Sequence, residues 1–539
     1  MPMTDIGSLN LAWSQAMIAG FVSAGISDAV ISPGSRSTPL ALALLRQTGL
    51  RSHVAVDERS AAFFGLGIAK AQRRPVILLA TSGTAPANWL PAIIEASQAG
   101  VPLIAVSADR PPELHGCGAN QTVPQTSMFA PYVRATHALG TPSADFDPEY
   151  AHRLAAQIVE QATWPYPGPV HINQPFREPL VPTGNPLPAA RLAPIRFSHS
   201  LDEPDQQTLS ELANRLSGRP GIVVCGEMPL DEKRNNALVR LARALDCPIL
   251  AEPLSGLRFG PHDRSHLCVG YNRWLDSHDA RDIPPPEWII RFGAFPVTRK
   301  LQNYLSGSPA TQIVVAPWPL WADPARKLTD LLRTDPELFC TALLRERLKP
   351  ANESWFGKFL ALEQQVAEPD APNHIQAIIN ALPSGTALFV GNSLAIRELD
   401  SLSGHSAKAL SIHANRGASG IDGNISTAAG IASAQGATVA LIGDLTCQHD
   451  IGGLALTRNL DIIIVVVNNG GGGIFDHLPQ HSLPEFLEGW RTPQHIDFEH
   501  AAKTFGLTYH HVDTPDNLSR RLGSALADGG PQLIELKLA

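Results

Sequence analysis

What this 539-residue chain lacks already excludes several classes of protein. Its most apolar run, Ile462 to Val467, is far shorter than the ~20 residues of a membrane-spanning helix, so no membrane span is expected. The start, MPMTDIGSLN, has no basic stretch followed by an apolar one, and no secretory signal is expected. The six cysteines (Cys117, Cys225, Cys247, Cys268, Cys340 and Cys447) form no C-x-x-C pair. That argues for reduced thiols in a cytoplasmic protein and against a zinc site. Long basic runs are missing and the formal net charge is −8, which disfavours nucleic acid or an anionic membrane as partner. There is no short repeat and no low-complexity tract. No strand is followed at once by G-x-G-x-x-G, since GASGIDG (417–423) has the wrong spacing, so the dinucleotide signal is weak.

What is present fits a globular protein: 44% hydrophobic and 17% charged residues, and a length that implies two to four domains. Three blocks emerge, at 1–185, 198–350 and 370–539, separated by the proline-rich stretch Val181 to Phe197 and the charged stretch Lys349 to Asn373. In the first, a helix is expected from Leu9 to Ala24 and strands at Ala29–Ile31, His53–Val56, Val76–Ala80 and Leu103–Val106. Helices are expected at Glu58–Gln72 and near Trp89–Gln98. The second block has candidate strands at Ile222–Val224, Pro248–Ala251, Trp288–Arg291 and Gln312–Val315. The third has them at Leu388–Val390, Val439–Ile442, Ile462–Val467 and Leu533–Leu538. Apolar strands alternating with helices predict an α/β protein of three doubly wound parallel-sheet domains.

Two features of the third block carry chemistry. Val439–Ile442 leads into Gly443-Asp444-Leu445, and Ile462–Val467 into Asn468-Asn469, so that Asp444 and Asn469 each follow a parallel-type strand. Open α/β sheets bind ligands at those carboxyl ends. A hard cation such as Mg²⁺ takes oxygen ligands and commonly bridges phosphates, which a carboxylate, an amide oxygen and a backbone carbonyl suit. The glycines Gly470 to Gly473 let backbone approach a diphosphate. In the first block, Asp57 and Glu58 stand where a strand meets a helix, and capping alone accounts for both.

The segment GDLTCQHDIGGLALTRNLDIIIVVVNN (443–469) resembles the GDG…NN signature of thiamine-diphosphate enzymes, with Leu445 where many relatives have glycine. The resemblance implies three domains of that family's type: pyrimidine-binding (1–185), central (198–350) and diphosphate-binding (370–539). It implies thiamine diphosphate as cofactor and Mg²⁺ (or Mn²⁺) held by Asp444, Asn469 and the Gly471 carbonyl. Gly443, Ser393 and Ile474 would line the cofactor, and Ile421 would bend it, although an ordinary core isoleucine fits as well. Glu58 becomes the acid that hydrogen-bonds the aminopyrimidine N1′. Because Glu58 and the clamp lie on separate domains in that family, a homodimer or homotetramer with active sites between subunits is implied.

Further segments narrow the family: SPGSRSTPLALAL (32–44), TSGTAPANWLPAIIEA (81–96), SADRPPELHGCGANQTV (107–123), GNSLAIRELD (391–400), NRGASGIDGNISTAAG (415–430) and NNGGGGIF (468–475). Together they resemble the 2-succinyl-5-enolpyruvyl-6-hydroxy-3-cyclohexene-1-carboxylate synthases of menaquinone biosynthesis. Those transferases decarboxylate 2-oxoglutarate and add the four-carbon acyl anion to isochorismate by conjugate (1,4) addition. Such anionic substrates call for arginine forks. By resemblance, Arg397 and Arg416 hold the distal carboxylate derived from 2-oxoglutarate, and Ser35, Arg36, Arg110, Asn120 and Gln121 surround isochorismate. Arg299, beside Lys300, aligns with a basic position of the central domain. The arginines at 36, 110, 397 and 416 are each expected in a turn after an apolar strand. Phe475 and Ile474 line the acyl pocket or simply pack. Two alternatives are another thiamine carboligase or 2-oxo-acid decarboxylase, such as acetolactate synthase, and a non-catalytic dinucleotide- or cofactor-binding protein. The four arginines disfavour the first, and the intact Glu58 and Asp444 the second.

Overall fold

The computed structural model describes residues 5–145, 147, 149–182, 193–319, 321–352, 354–366 and 371–538. Residues 183–192 and 367–370 of the two expected linkers, and with them the boundaries placed at 185 and 370, lie outside the described residues. Within the second linker Ser354–Gln365 is a helix.

Three six-stranded sheets follow one another along the chain, and every pairing in them is parallel. The first contains β1 (Asp28–Ile31), β2 (Arg51–Val54), β3 (Val76–Ala80), β4 (Leu103–Asp109), β5 (Thr136–Ala138) and β6 (Pro169–Pro175) in the order β2-β1-β3-β4-β6-β5. The second contains β7 (Gly221–Cys225), β8 (Ile249–Ala251), β9 (Leu267–Cys268), β10 (Trp288–Phe292), β11 (Thr311–Val315) and β12 (Leu328–Leu332) in the order β12-β11-β10-β7-β8-β9. The third contains β13 (Ala387–Val390), β14 (Ser411–His413), β15 (Thr438–Gly443), β16 (Ile462–Asn468), β17 (Thr508–Val512) and β18 (Gln532–Lys537), ordered β14-β13-β15-β16-β18-β17. The first and third sheets thus repeat one topology, and in each the strand order reverses beside its first strand. That reversal opens a crevice at the carboxyl ends, where ligands bind in such sheets.

Continuous apolar strands form because helices cover both sheet faces: all five residues of β3 are buried, as are Ile462 to Val467 of β16. The expected strands correspond to interior strands and to β2. The edge strands β5, β9, β12, β14 and β17, and the interior β6, were not expected, because they lack an unbroken apolar run. One expected strand shifts: β2 spans Arg51–Val54 rather than His53–Val56, because the chain must leave the sheet early enough for Asp57 to cap the next helix.

The first and third sheets share one core through two helices, Glu58–Gln72 and Asn424–Gln435. Their backbones touch at glycines. A β-carbon on Gly67 would stand 2.1 Å from the Thr427 carbonyl oxygen, and one on Gly430 would stand 2.0 Å from that of Phe64. Two glycines of the first of these helices serve different contacts: Gly67 faces the third sheet's helix, whereas Gly65 lies over Leu78 of its own sheet.

Candidate active site at the carboxyl ends of two sheets

In the third sheet, β15 and β16 are neighbours with Gly443 opposite Val467, so Asp444 and Asn469 emerge side by side. Asp444 is 4% exposed and opens the short helix Asp444–His449. Its Oδ1 accepts the Leu445 amide and its Oδ2 the Gly471 amide, both at 2.7 Å. Burial pushes its carboxyl above the ordinary value, while the Leu445, Gly471 and Gly470 amides pull it back. Gly471 has φ +127° and leaves no room for a side chain: a β-carbon would stand 2.3 Å from the Arg491 carbonyl oxygen. Asn469 is fixed by a residue that sequence inspection missed, Arg491, whose Nη2 donates to the Asn469 carbonyl at 2.6 Å and Nη1 to its Oδ1 at 3.4 Å.

Beside this clamp stand three arginines. Arg397 was expected in a turn but lies in the first turn of the helix Leu394–Leu402, because Ser393, at φ +67°, starts that helix directly after the β13 turn. Its Nη1 donates to the Ser393 carbonyl at 2.6 Å. Arg416 follows β14 in a loop, and its Nη1 donates to Asn392 Oδ1 at 2.5 Å. Burial lowers the Arg397 guanidinium from its ordinary value, and the charges of Arg416 and Arg299 lower it further. The Arg299 charge thus acts on Arg397, whereas Lys300 pairs with Asp276 at 2.9 Å. No carboxylate lies within ion-pair distance of Arg299, Arg397 or Arg416 among the described residues. Clustered guanidiniums with no carboxylate in ion-pair contact can seat an anion.

A second cluster sits at the carboxyl end of the first sheet. Arg36 is 7% exposed; it donates to the Phe176 carbonyl at 3.0 Å and pairs with Glu178 at 2.9 Å. Arg110, directly after β4, donates to Ser82 Oγ and, at 3.0 Å, to the Gln121 carbonyl. Gln121, in the left-handed region at φ +55°, returns a bond to the Ser82 carbonyl at 2.8 Å. Burial and the nearby Arg36 charge lower Arg110. Ser35 and Asn120 are exposed beside these two arginines. Glu58 belongs to the same sheet, in the first turn of its helix, half-buried, with Asp57 as N-cap. Capping is thus satisfied by Asp57, and the Glu58 carboxylate has no hydrogen bond or ion pair among the described residues.

Two family models match the chain: "Thiamine pyrophosphate enzyme, N-terminal TPP binding domain" over residues 12–129, and "Thiamine pyrophosphate enzyme, C-terminal TPP binding domain" over residues 404–536. The chain is also 62% identical over 535 residues to the 2-succinyl-5-enolpyruvyl-6-hydroxy-3-cyclohexene-1-carboxylate synthase of Dechloromonas aromatica (strain RCB), covering 99% of this chain and 100% of that protein. The chain belongs to that synthase family. The synthase of Geobacillus kaustophilus (strain HTA426) is 39% identical over 546 residues, covering 97% and 94% of the two chains. The crystal structure of benzoylformate decarboxylase from Polynucleobacter necessarius superposes with a TM-score of 0.74 over 98% of each chain, and at 17% identity it shares the fold.

As a member of the synthase family, the chain is a thiamine-diphosphate enzyme of the transferase type with the expected three-sheet α/β fold. No described helix is long and apolar enough to cross a membrane. Among the described residues no group of three His, Cys, Asp or Glu side chains forms a self-sufficient metal site. The clamp, with one carboxylate and one amide oxygen, fits a cation whose remaining ligands come from a diphosphate. Ile421 is half-buried in the loop before the helix Asn424–Gln435, and Ile474 and Phe475 are half-buried in the turn Gly473–His477.

Two supports were illegible in sequence. Asp400, one turn beyond Arg397, is 1% exposed and accepts from Arg258, from Tyr271 at 2.5 Å and from Asn272 at 2.7 Å, which fastens the Arg397 helix to the second sheet's domain. Glu252, 1% exposed, accepts the Val297 amide at 2.5 Å, two residues before Arg299. Glu252 stands out only as an acid in the apolar stretch ILAEPL, whereas Asp400, in IRELDS, carries no such signal.

Proposed function

We infer that the chain decarboxylates 2-oxoglutarate with thiamine diphosphate and adds the succinyl-semialdehyde anion to isochorismate by conjugate (1,4) addition. The products are 2-succinyl-5-enolpyruvyl-6-hydroxy-3-cyclohexene-1-carboxylate and CO2, a step of menaquinone biosynthesis. The observation that carries the substrate assignment is the pair Arg397 and Arg416, anchored to the neighbouring residues Ser393 and Asn392 at the end of β13 and with no carboxylate in ion-pair contact among the described residues, a seat for a carboxylate of the substrate. Acetolactate synthase-type chemistry on small monocarboxylates has no use for such a cluster.

Asp444 and Asn469 would hold Mg²⁺ or Mn²⁺ and, with Gly443, Gly471 and Ser393, the diphosphate. Thiamine diphosphate, when bound, supplies an acidic C2–H and an electron sink for the departing carboxylate. Glu58 would hydrogen-bond the aminopyrimidine N1′ and hold a proton there. Its free carboxylate supports that role, because no neighbour among the described residues competes for it. Ile421 would wedge the two rings of the cofactor together, and Ile474 with Phe475 would exclude water from the acyl group. Arg397 and Arg416 would bind the distal carboxylate, and Arg299 would add positive charge at the same end. Ser35, Arg36, Arg110, Asn120 and Gln121 would orient isochorismate from the first sheet.

Glu58 and the clamp stand on different sheets, and no hydrogen bond or ion pair joins them within one chain. Val54 and Val56, just before Glu58, are 60% and 85% exposed, as expected of a face that a second subunit covers. A cytoplasmic homodimer or homotetramer accounts for both features, with pyrimidine-binding (1–185), central (198–350) and diphosphate-binding (370–539) domains. The test mixes the protein with thiamine diphosphate, Mg²⁺, 2-oxoglutarate and isochorismate. Loss of the isochorismate absorbance that requires every component is expected. CO2 release from pyruvate but not from 2-oxoglutarate would overturn the assignment.

A further inference from the structure

Arg416 lies in a loop of the third sheet's domain, yet the groups that hold this loop come from the first. Glu95, on the helix Leu90–Ala99, is 2% exposed. Its Oε1 accepts the Gly417 amide at 2.9 Å and its Oε2 the Ala418 amide at 2.6 Å. Both carboxylate oxygens are thus spent on the two backbone amides immediately after Arg416. Lys70, on the helix Glu58–Gln72, stands 3.4 Å from Glu95 Oε1 and donates to the Ala414 carbonyl at 2.5 Å. The loop is gripped on both sides of Arg416, two residues before it and one and two residues after it. It has no slack against the gripping helix: a β-carbon on Gly417 would stand 2.5 Å from the Glu95 carbonyl oxygen and 2.8 Å from the Ala99 nitrogen.

We propose that Lys70 and Glu95 are positioning residues for 2-oxoglutarate, which fix the Arg416 guanidinium by clamping its backbone across the domain boundary. This rests on the assignment of Arg416 to the distal carboxylate. Buried Lys and Glu are costly unless paired and hydrogen-bonded, and here both are, with their remaining capacity directed at three backbone atoms of one loop. Glu227, from the second sheet's domain, adds to the cluster: burial raises its carboxyl, and the charges of Lys70, Glu95 and Arg416 act on it. The Arg416 guanidinium has one hydrogen-bonded side chain, Asn392, and its Nε is buried without a partner. Its position therefore follows the backbone, and the pair that sets the backbone sets how far the arginine reaches. A salt bridge that only glued domains together would have no reason to spend both oxygens on Gly417 and Ala418.

Three variants of the full-length holoenzyme test this: Glu95→Gln, the charge-neutral double variant Lys70→Met/Glu95→Gln, and Arg416→Ala. Gln keeps one acceptor and turns an NH2 group on the other amide, and the double variant removes the Lys70 and Glu95 charges together should Glu95→Gln fold poorly. Hydrogen exchange of the peptide spanning 414–420 reads the grip. Exchange at least about tenfold faster in the Glu95 variants is expected, because protected amides exchange through local opening. Steady-state kinetics read the positioning. The KM for 2-oxoglutarate is expected to rise about tenfold, with the KM for isochorismate and the cofactor Kd within about twofold of the parent. Unchanged exchange overturns the proposal, as does a fall in kcat with an unmoved KM for 2-oxoglutarate, the signature of a purely structural pair. If Arg416→Ala also leaves that KM unmoved while exchange accelerates, the assignment of Arg416 fails, and the positioning claim falls with it although the grip stands.

Discussion

Asp444 and Gly471 are joined directly, the carboxylate of the first accepting the amide of the second at 2.7 Å across the ends of neighbouring strands. That bond places the only carboxylate of the clamp against the glycine turn that follows Asn469. It fixes the carboxylate and the turn against each other within the chain.

Removing either half of the clamp should therefore cost cofactor affinity before it costs fold. Asp444→Ala or Asn469→Ala is expected to weaken thiamine diphosphate binding in Mg²⁺ at least about tenfold, since each removes an oxygen ligand of a hard cation. Calorimetric titration checks this, with circular dichroism showing retained secondary structure. Parent-like affinity in both variants would remove the metal from these residues.

Glu58→Gln keeps the shape of the side chain but cannot hold the proton. Turnover is expected to fall by about 10²–10⁴-fold with cofactor binding retained, the range for losing a general acid–base group. Near-normal turnover would sink the assignment.

If active sites form between subunits, two dead variants should rescue each other. Glu58→Gln chains mixed and exchanged with Asp444→Ala chains are expected to regain about a quarter of parent activity, because mixed dimers carry one intact site of two. No recovery after verified exchange would put the whole site within one chain.

The two arginine clusters should separate the two substrates. Arg397→Ala and Arg416→Ala are expected to raise the KM for 2-oxoglutarate about 10- to 100-fold, the worth of one or two charge-assisted contacts. Arg110→Ala should leave CO2 release from 2-oxoglutarate intact and slow its isochorismate-dependent turnover. Equal losses on both substrates from every variant would contradict the division.

Asp28 links stability to pH. It is fully buried in β1; burial alone would raise its carboxyl, but bonds from His53, Ser27, Arg51 and Gln72 outweigh burial and hold it well below the carboxylate range. A depressed acid contributes stability that is complete above its unfolded value and is lost as pH falls towards its folded value. Asp28→Asn is expected to cost about 2 kcal/mol at neutral pH, since hydrogen bonds to a charged group are lost. The gap from the parent should narrow below about pH 4, where the unfolded carboxyl protonates. Urea unfolding at several pH values measures it. A gap that widens on acidification would reverse the sign.

The clamp was legible because both of its halves directly follow the strongest apolar runs in the chain, β15 and β16, and because a parallel sheet delivers such residues to one edge. Glu58 was legible as a helix start, and its freedom from capping emerged only when Asp57 was seen to take both amides. The edge strands other than β2 were not legible, since a strand paired on one side only needs no unbroken apolar run. Arg397 was misplaced because a turn and a helix start share the same Gly, Asn and Ser.

Sequence by itself determined the fold class and the family, and singled out Asp444 and Asn469, because each depends on local runs of residues a few positions apart. Tertiary structure alone decided which charges meet. Glu95 and Gly417 are more than three hundred positions apart, and Arg491 reaches back to Asn469 from a separate turn. Nothing in a local pattern distinguishes an arginine that has a carboxylate partner, such as Arg36, from one that has none among the described residues, such as Arg397. That distinction comes from tertiary packing, which brings Glu178 back to Arg36 across 142 positions and brings no described carboxylate into ion-pair contact with Arg397.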